Sequence, residues 1–187
     1  MATEPDDDKL LVATHGAWTF VRVVGRGSFK VSAALKRFHA AMMERGYLRH
    51  ALDMTECSGL DSTFMGVLAG LALRLKKRDG DLVMLNVSPK ISNLLDVLGL
   101  IYLIDAYPPG EIPDGLKLTE TGAAEMSELD ISSEDKRQTT LVMLDAHQSL
   151  IDASPENLPK FKDVLAYLRE DLHEKEDLPS GAPGPDD

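Results

Sequence analysis

The chain has 187 residues, 43% of them hydrophobic, with one cysteine and a formal net charge of -11 at pH 7. That length and apolar content suffice for one domain with a real core plus an appendage. The acidic balance excludes nucleic acid as a natural partner, because phosphate binding needs a basic surface, and the single Cys57 excludes an internal disulfide.

The opening MATEPDDDKL is acidic and lacks the basic-then-apolar pattern of a signal peptide. No apolar run approaches the roughly 20 residues that a membrane helix needs. The expectation is a soluble, cytoplasmic protein with no direct membrane insertion. Leu10 to Gly16 and Thr19 to Gly25 read as a hairpin, the second arm alternating and rich in β-branched residues. Gly25 to Phe29 is a tight loop, and Ser28 or Ser32 is placed to cap a helix from Val31 to Arg45. Leu35, Phe38, Ala41 and Met42 give that helix one apolar face, and Gly46 stops it. Tyr47 to Thr55 is the next strand, and Cys57 to Leu60 reads as a loop or turn.

A second helix opens at Asp61 or Ser62 and runs to Arg78, with Met65, Leu68, Leu71, Ala72 and Leu75 on its buried face. After the Asp79-Gly80 turn, Leu82 to Val87 is a buried strand. Ser88-Pro89 places Ser at an N-cap and Pro at the first helical position, and Gly99 ends that short helix. Leu100 to Ile104 reads as a final strand. Strands alternating with helices define an α/β domain over residues 8–106 whose later strands run parallel.

Residues 107–131 form a linker or irregular segment. Residues 132–175 carry two amphipathic helices, from Ser132 or Ser133 to Ala153 and from Leu158 to Glu174, which make a helical hairpin. Residues 176–187 form an acidic, Pro/Gly-rich tail expected to be disordered. The hairpin can cover a face of the domain, form a homodimer or bind another protein, and the sequence leaves these open.

Little in the chain points to catalysis. Gly25-Arg26-Gly27 lacks the third glycine of a dinucleotide fingerprint and the Gly-Lys-Ser/Thr ending of a phosphate-binding loop. Cys57 has no nucleophile signature and reads as a small core residue. The five histidines show no ligand spacing, so neither a metal nor a cofactor is expected. Asp53, Glu56 and Asp61 cluster at a strand end, where α/β folds place their sites, yet nothing specifies a paired-carboxylate hydrolase.

The segment Asp61-Ser62-Thr63-Phe64-Met65-Gly66 admits two readings. In one, Asp61 or Ser62 merely caps a helix, which stabilises by roughly 1 kcal/mol. In the other, the same helix start tolerates a phosphoester, because free N–H groups and the positive end of the helix dipole face it.

The stretch from Arg49 to Ile104, with LDMTECSGL, DSTFMGVLAGLALRLKKRDG, DLVMLNV and SPKISNLLDVLGLIYLI in order, resembles the STAS domain of bacterial anti-sigma-factor antagonists. The resemblance implies a STAS-like mixed β-sheet with helices, extended here by the C-terminal hairpin. It implies Thr63 as phosphoacceptor, with Asp61 and Ser62 shaping the phosphosite loop. It further implies a protein partner, a serine/threonine kinase that also acts as an anti-sigma factor and is bound when Thr63 is unphosphorylated.

This sequence departs from the family pattern at three places. Phe64-Met65 replaces Gly-Leu, Thr63 replaces the commoner Ser, and Gly25-Arg26-Gly27-Ser28 replaces an acidic loop. Arg26, Ser28 and Phe64 are the expected partner-binding residues, on one exposed surface with Asp61 to Thr63. The rival expectation is a STAS scaffold without phosphorylation, a subunit of a signalling or transport assembly, in which a buried Thr63 only caps and packs.

Overall fold

The computed structural model describes residues 8–117, 125–132 and 135–176. The N-terminal hairpin is β1 (Lys9–His15) and β2 (Trp18–Gly27), turning at Gly16, whose φ of 59° suits a residue without a Cβ. Helix α1 (Phe29–Glu44) starts at the Ser28 cap. It is followed by β3 (Arg49–Asp53), β4 (Cys57–Leu60), α2 (Ser62–Lys76), β5 (Asp81–Leu85) and α3 (Pro89–Val97). Two short strands, β6 (Asp105–Tyr107) and β7 (Ser127–Glu128), precede the helices α4 (Lys136–Ala153) and α5 (Leu158–Glu176).

The strands run in the order β6-β5-β3-β2-β1-β7, with β4 pairing the far end of β2. Pairs β2–β3, β3–β5 and β5–β6 are parallel, whereas β1 pairs antiparallel with β2 and with β7. This is the mixed sheet that the STAS resemblance implies, and its later strands run parallel as the alternation of strands and helices predicts. Alternation sorts the side chains by face. Val21, Leu52 and Met84 point into the main core with α1, α2 and α3, while Phe20, Ala51 and Val83 form a second cluster on the opposite face, capped by Leu116 and Ile112.

Several expected elements differ, among them the Gly25–Phe29 loop, of which Gly25–Gly27 continue β2 and Phe29 opens α1. Cys57 to Leu60 is a strand rather than a loop: β2 outlasts β3, and the exposed part of its edge at Gly25–Gly27 takes β4 as a second parallel partner. Leu100 to Ile104 is not a strand. The N–H groups of Leu103 and Ile104 both donate to the Leu100 carbonyl, closing a 3-10 turn over Leu100–Tyr102, and the strand follows at Asp105. Helix α4 begins at Lys136, later than the expected Ser132, because Asp135 accepts from the Gln138 N–H and caps it; the expected start at Ser133 lies outside the described residues. The expected acidic tail lies outside the described residues.

Helix α2 sits between the sheet and α4, and eleven of its residues are buried. The closeness of α4 rests on two glycines. A Cβ on Gly66 would lie 2.2 Å from the Ala146 carbonyl oxygen, and one on Gly70 would lie 2.8 Å from Ser149 Oγ. The hairpin is held further by Asn157, whose side-chain amide donates to the carbonyls of Leu98 and Leu150.

A buried histidine pair ties α1 to β3. His50 Nε2 lies 3.0 Å from the Tyr47 carbonyl, so it carries the proton, and the bare Nδ1 of His50 accepts from His39 Nδ1 at 2.7 Å. This leaves His39 Nε2 buried without a partner. Burial, then His50 and Arg74 nearby, hold His39 well below the usual imidazole range. Burial also lowers His50, opposed by its bond to Tyr47. Both rings are therefore neutral in the fold, and the unfolded chain binds their protons first as pH falls. Stability should be full above about pH 6.5 and should decline below it. Urea midpoints at pH 8 and pH 5.5 measure that loss, and the double variant His39→Leu, His50→Phe should flatten the dependence.

Candidate functional site

The site is built around the start of α2. Asp61 is in extended backbone, with φ -99° and ψ 172°, and its carboxylate joins two segments. Oδ1 accepts from the Phe64 N–H at 2.9 Å and caps α2, and Oδ2 accepts from the Phe29 N–H at 2.8 Å. The Asp61 N–H in turn donates to the Gly27 carbonyl at 2.9 Å. The end of β2, the Ser28 cap with the first residue of α1, and the Asp61-Ser62-Thr63 start of α2 are therefore one unit. Asp61→Ala removes both acceptors and should cost about 1–2 kcal/mol in urea unfolding. Asp61→Asn, which keeps the cap but presents an amide to Phe29, should lose less.

Ser62, half-buried, meets the hairpin. His147 Nδ1 lies 2.7 Å from the Met143 carbonyl, which fixes the proton there and leaves Nε2 as acceptor for the Ser62 hydroxyl at 3.0 Å. The ring packs edge-on against Phe161 of α5, with centroids 5.2 Å apart. Lys36 of α1 pairs with Asp145 of α4 at 2.7 Å.

The expected partner-binding residues divide. Arg26 is exposed, and its backbone N–H is held by Asp8 Oδ1 at 2.7 Å. Ser28 is buried and structural: its Oγ accepts from Lys30 N–H and its carbonyl from the Ser32 hydroxyl. Phe64 corrects the expectation of an exposed anchor. It is 0% exposed, because it points from α2 toward Gly27, where a Cβ would come within 3.1 Å of its ring. The exposed aromatic here is Phe29, at 43%, the first residue of α1. Thr63 is 5% exposed, whereas Arg26, Phe29, Lys30, Asp61 and Ser62 combine proximity with access.

A second polar cluster lies at the C-terminal ends of β3 and β5, beside the middle of β2. Buried Asp53 accepts from Arg22 Nε at 2.8 Å, Asn86 Nδ2 at 2.9 Å, and both the N–H and hydroxyl of Thr55. Burial alone would raise the Asp53 carboxyl, but the bonds from Thr55, Asn86 and Arg22 outweigh it and hold the group below its usual value. Its acceptor capacity is committed to structure. Burial raises the Cys57 thiol, whose Sγ donates to the Gly59 carbonyl at 3.4 Å, and both argue against a nucleophilic role. Among the described residues, no group of three or more His, Cys, Asp or Glu is arranged to hold a metal ion, and no helix is long and apolar enough to cross a membrane.

The family profile described as "Mlab, STAS domain" matches residues 10–105. The chain belongs to the STAS domain family, and the matched region ends where β6 begins, leaving the hairpin as an addition to it. An anti-sigma-B factor antagonist of Listeria monocytogenes is 35% identical over 54 residues, which cover 29% of this chain and 47% of the relative. The counterpart in Listeria innocua matches to the same extent. This chain thus spans about half the length of the curated relatives it matches. The crystal structure of an anti-sigma factor antagonist from Mycobacterium paratuberculosis superposes with a TM-score of 0.50 at 23% identity, covering 57% of this chain and 90% of that one. That likeness is one of fold.

Proposed function

We propose that this chain is an anti-sigma-factor antagonist: a protein-binding module, not an enzyme, that docks a serine/threonine kinase anti-sigma factor when Thr63 is unphosphorylated. The observation that carries the reading is the Asp61 carboxylate, which fastens the junction of β2 and α1 at Phe29 to the start of α2. Any group added at the start of α2 is felt at the junction beside it. The segmental identity to proteins named as anti-sigma-B factor antagonists supports the same role. Phosphorylation adds about -1.5 to -2 charges, enough to expel a partner from a face that presents Phe29 and Arg26.

A second reading is favoured by one observation, the burial of Thr63. In it the chain is an unswitched STAS scaffold of a signalling or transport assembly, and Thr63 only packs. Peptide mass spectrometry on protein purified from its own host, with Thr63→Ala beside the parent, separates the two. The switch predicts a phosphate on Thr63 that the variant lacks, and a Thr63→Asp chain that no longer pulls down the kinase. The scaffold predicts no phosphate under any growth condition and pull-downs unchanged by Thr63→Asp.

A further inference from the structure

We infer that the α4–α5 hairpin is a displaceable cover over the docking face, so that the start of α2 is closed in this conformation and open once α4 lifts. The inference deepens the switch reading and rests on it for the identity of the face, though the cover itself is tested independently.

Four observations converge. Residues 62, 66 and 70 lie one helical turn apart on α2, and all three meet α4, through His147, Ala146 and Ser149. The stripe is small and apolar below a single hydroxyl, a surface shaped for a helix with small residues at the crossing. Second, Thr63 is 5% exposed beside that stripe, although the face it belongs to must be reached by an enzyme and a partner.

Third, Ala146 and Leu150 are fully buried in the core beneath the hairpin, but the margins of the contact are held by polar groups, the Ser62–His147 hydrogen bond and the Lys36–Asp145 pair to α1. Such groups are readily resolvated when the surfaces part. Fourth, two open grooves run along α1, one beside α4 and one beside the segment that leads into it. A space of about 370 Å³ lies among Phe29, Lys30, Ala34, Ile131 and Thr139. Another of about 300 Å³ lies among Lys36, Ala40, Gln138, Leu141 and Val142. The hairpin is thus packed more closely on α2, at Gly66 and Gly70, than on α1, which it meets through the Lys36–Asp145 pair. One of those spaces is floored by Phe29, so lifting α4 also enlarges the exposed aromatic surface.

The test uses the full chain. With Cys57→Ser and Thr63→Cys in place, the single thiol reports access to position 63 through its rate of reaction with an aromatic disulfide reagent. Gly66→Ala is the displacing substitution. Its Cβ would meet the Ala146 carbonyl oxygen at 2.2 Å, and backbone cannot yield as a flexible side chain can. Alanine also favours the helical state more than glycine, so α2 itself is not weakened.

In this single-thiol parent, the thiol at position 63 should react roughly a hundredfold more slowly than in the urea-unfolded chain. Gly66→Ala should raise that rate roughly tenfold or more. Its loss of amide-exchange protection should be confined to residues 136–176. Reaction of the single-thiol parent at the unfolded rate would overturn the cover. So would Gly66→Ala exposing the thiol only together with lost protection in β2, β3 and β5, because the hairpin would then be an inseparable part of the core. A third arm, mass spectrometry of chains that retain Thr63, purified from the host, keeps the two ideas apart. Higher Thr63 phosphate in Gly66→Ala than in the parent supports both. Selective opening with no phosphate in either chain upholds the cover and removes the switch.

Discussion

Phe64→Ala should destabilise the domain by about 3–5 kcal/mol, the usual range for removing a buried phenyl ring. The ring is fully buried at the point where α2, β4 and the end of β2 converge. The surroundings cannot collapse into the vacated space easily, because Gly27 contributes no side chain on one side and Leu60 is already close: its Cδ2 would be 2.5 Å from a Cβ at Gly27. A urea unfolding curve measures the loss as a lower midpoint with an unchanged slope. The rival expectation, a surface anchor for a partner, gives the opposite pattern, with stability intact and only partner binding weakened. A midpoint within experimental error of the parent's would therefore refute the inward placement of Phe64.

Asp53→Ala should have an effect of similar size. The carboxylate is the common acceptor for Arg22, Thr55 and Asn86, which come from or follow three parallel strands. Removing it leaves the guanidinium of Arg22 mostly buried without its near partner, since Glu56 stands farther off at 3.8 Å. Breaking one side of such a pair costs about 3–5 kcal/mol, because an uncompensated charge remains. Arg22 retains some solvent access, so the lower end applies, and the double variant Arg22→Met, Asp53→Ala should recover part of the loss. The parent has its own acid signature. The Asp53 carboxyl is held below its ordinary value, so its contribution is present above about pH 4 and fades as the pH falls through the lowered value. In the Asp53→Ala chain that acid-limb slope should be shallower. The histidine pair acts at higher pH, so the two titrations separate.

The parallel half of the fold was legible because each boundary carried its own chemistry. Ser88-Pro89, Gly46 and Gly99 fix helix ends by local rules that tertiary context does not override. The misread elements were ones whose local signals were ambiguous. Cys57 to Leu60 contains Ser and Gly, which read as a turn. It became a strand because the unpaired edge of β2 supplied hydrogen-bond partners that only the folded chain reveals. Leu100 to Ile104 is apolar for another reason, since Leu100 and Ile104 plug the core from a 3-10 turn.

At the site, Asp61 was legible as a cap, but its second role on Phe29 joins residues 32 apart, and no pattern in one segment discloses that. Phe64 was misjudged because the bulk of a residue beside a motif says nothing of its direction. Gly27, close by in the fold, held the answer by leaving room for the ring. The signal for the cover was present in α2 itself. From Phe64 to Leu73 there is no charged residue, wider than the single stripe a one-sided helix needs. Gly66 and Gly70 sit within that run.

The packing of α4 on α2 also sets an order of events during synthesis. Ser62 and its partner His147 are 85 residues apart in the chain. At about 5–20 residues per second, the ribosome needs roughly 4–17 s to make the helix that shields the first one. Throughout that interval the nascent chain carries a greasy helix with one flank bare, at a stage when the sheet can already assemble. A translation pause or a premature stop before residue 146 leaves that flank for chaperones or for other nascent chains. The C-terminal segment is therefore what makes the finished domain safe to release.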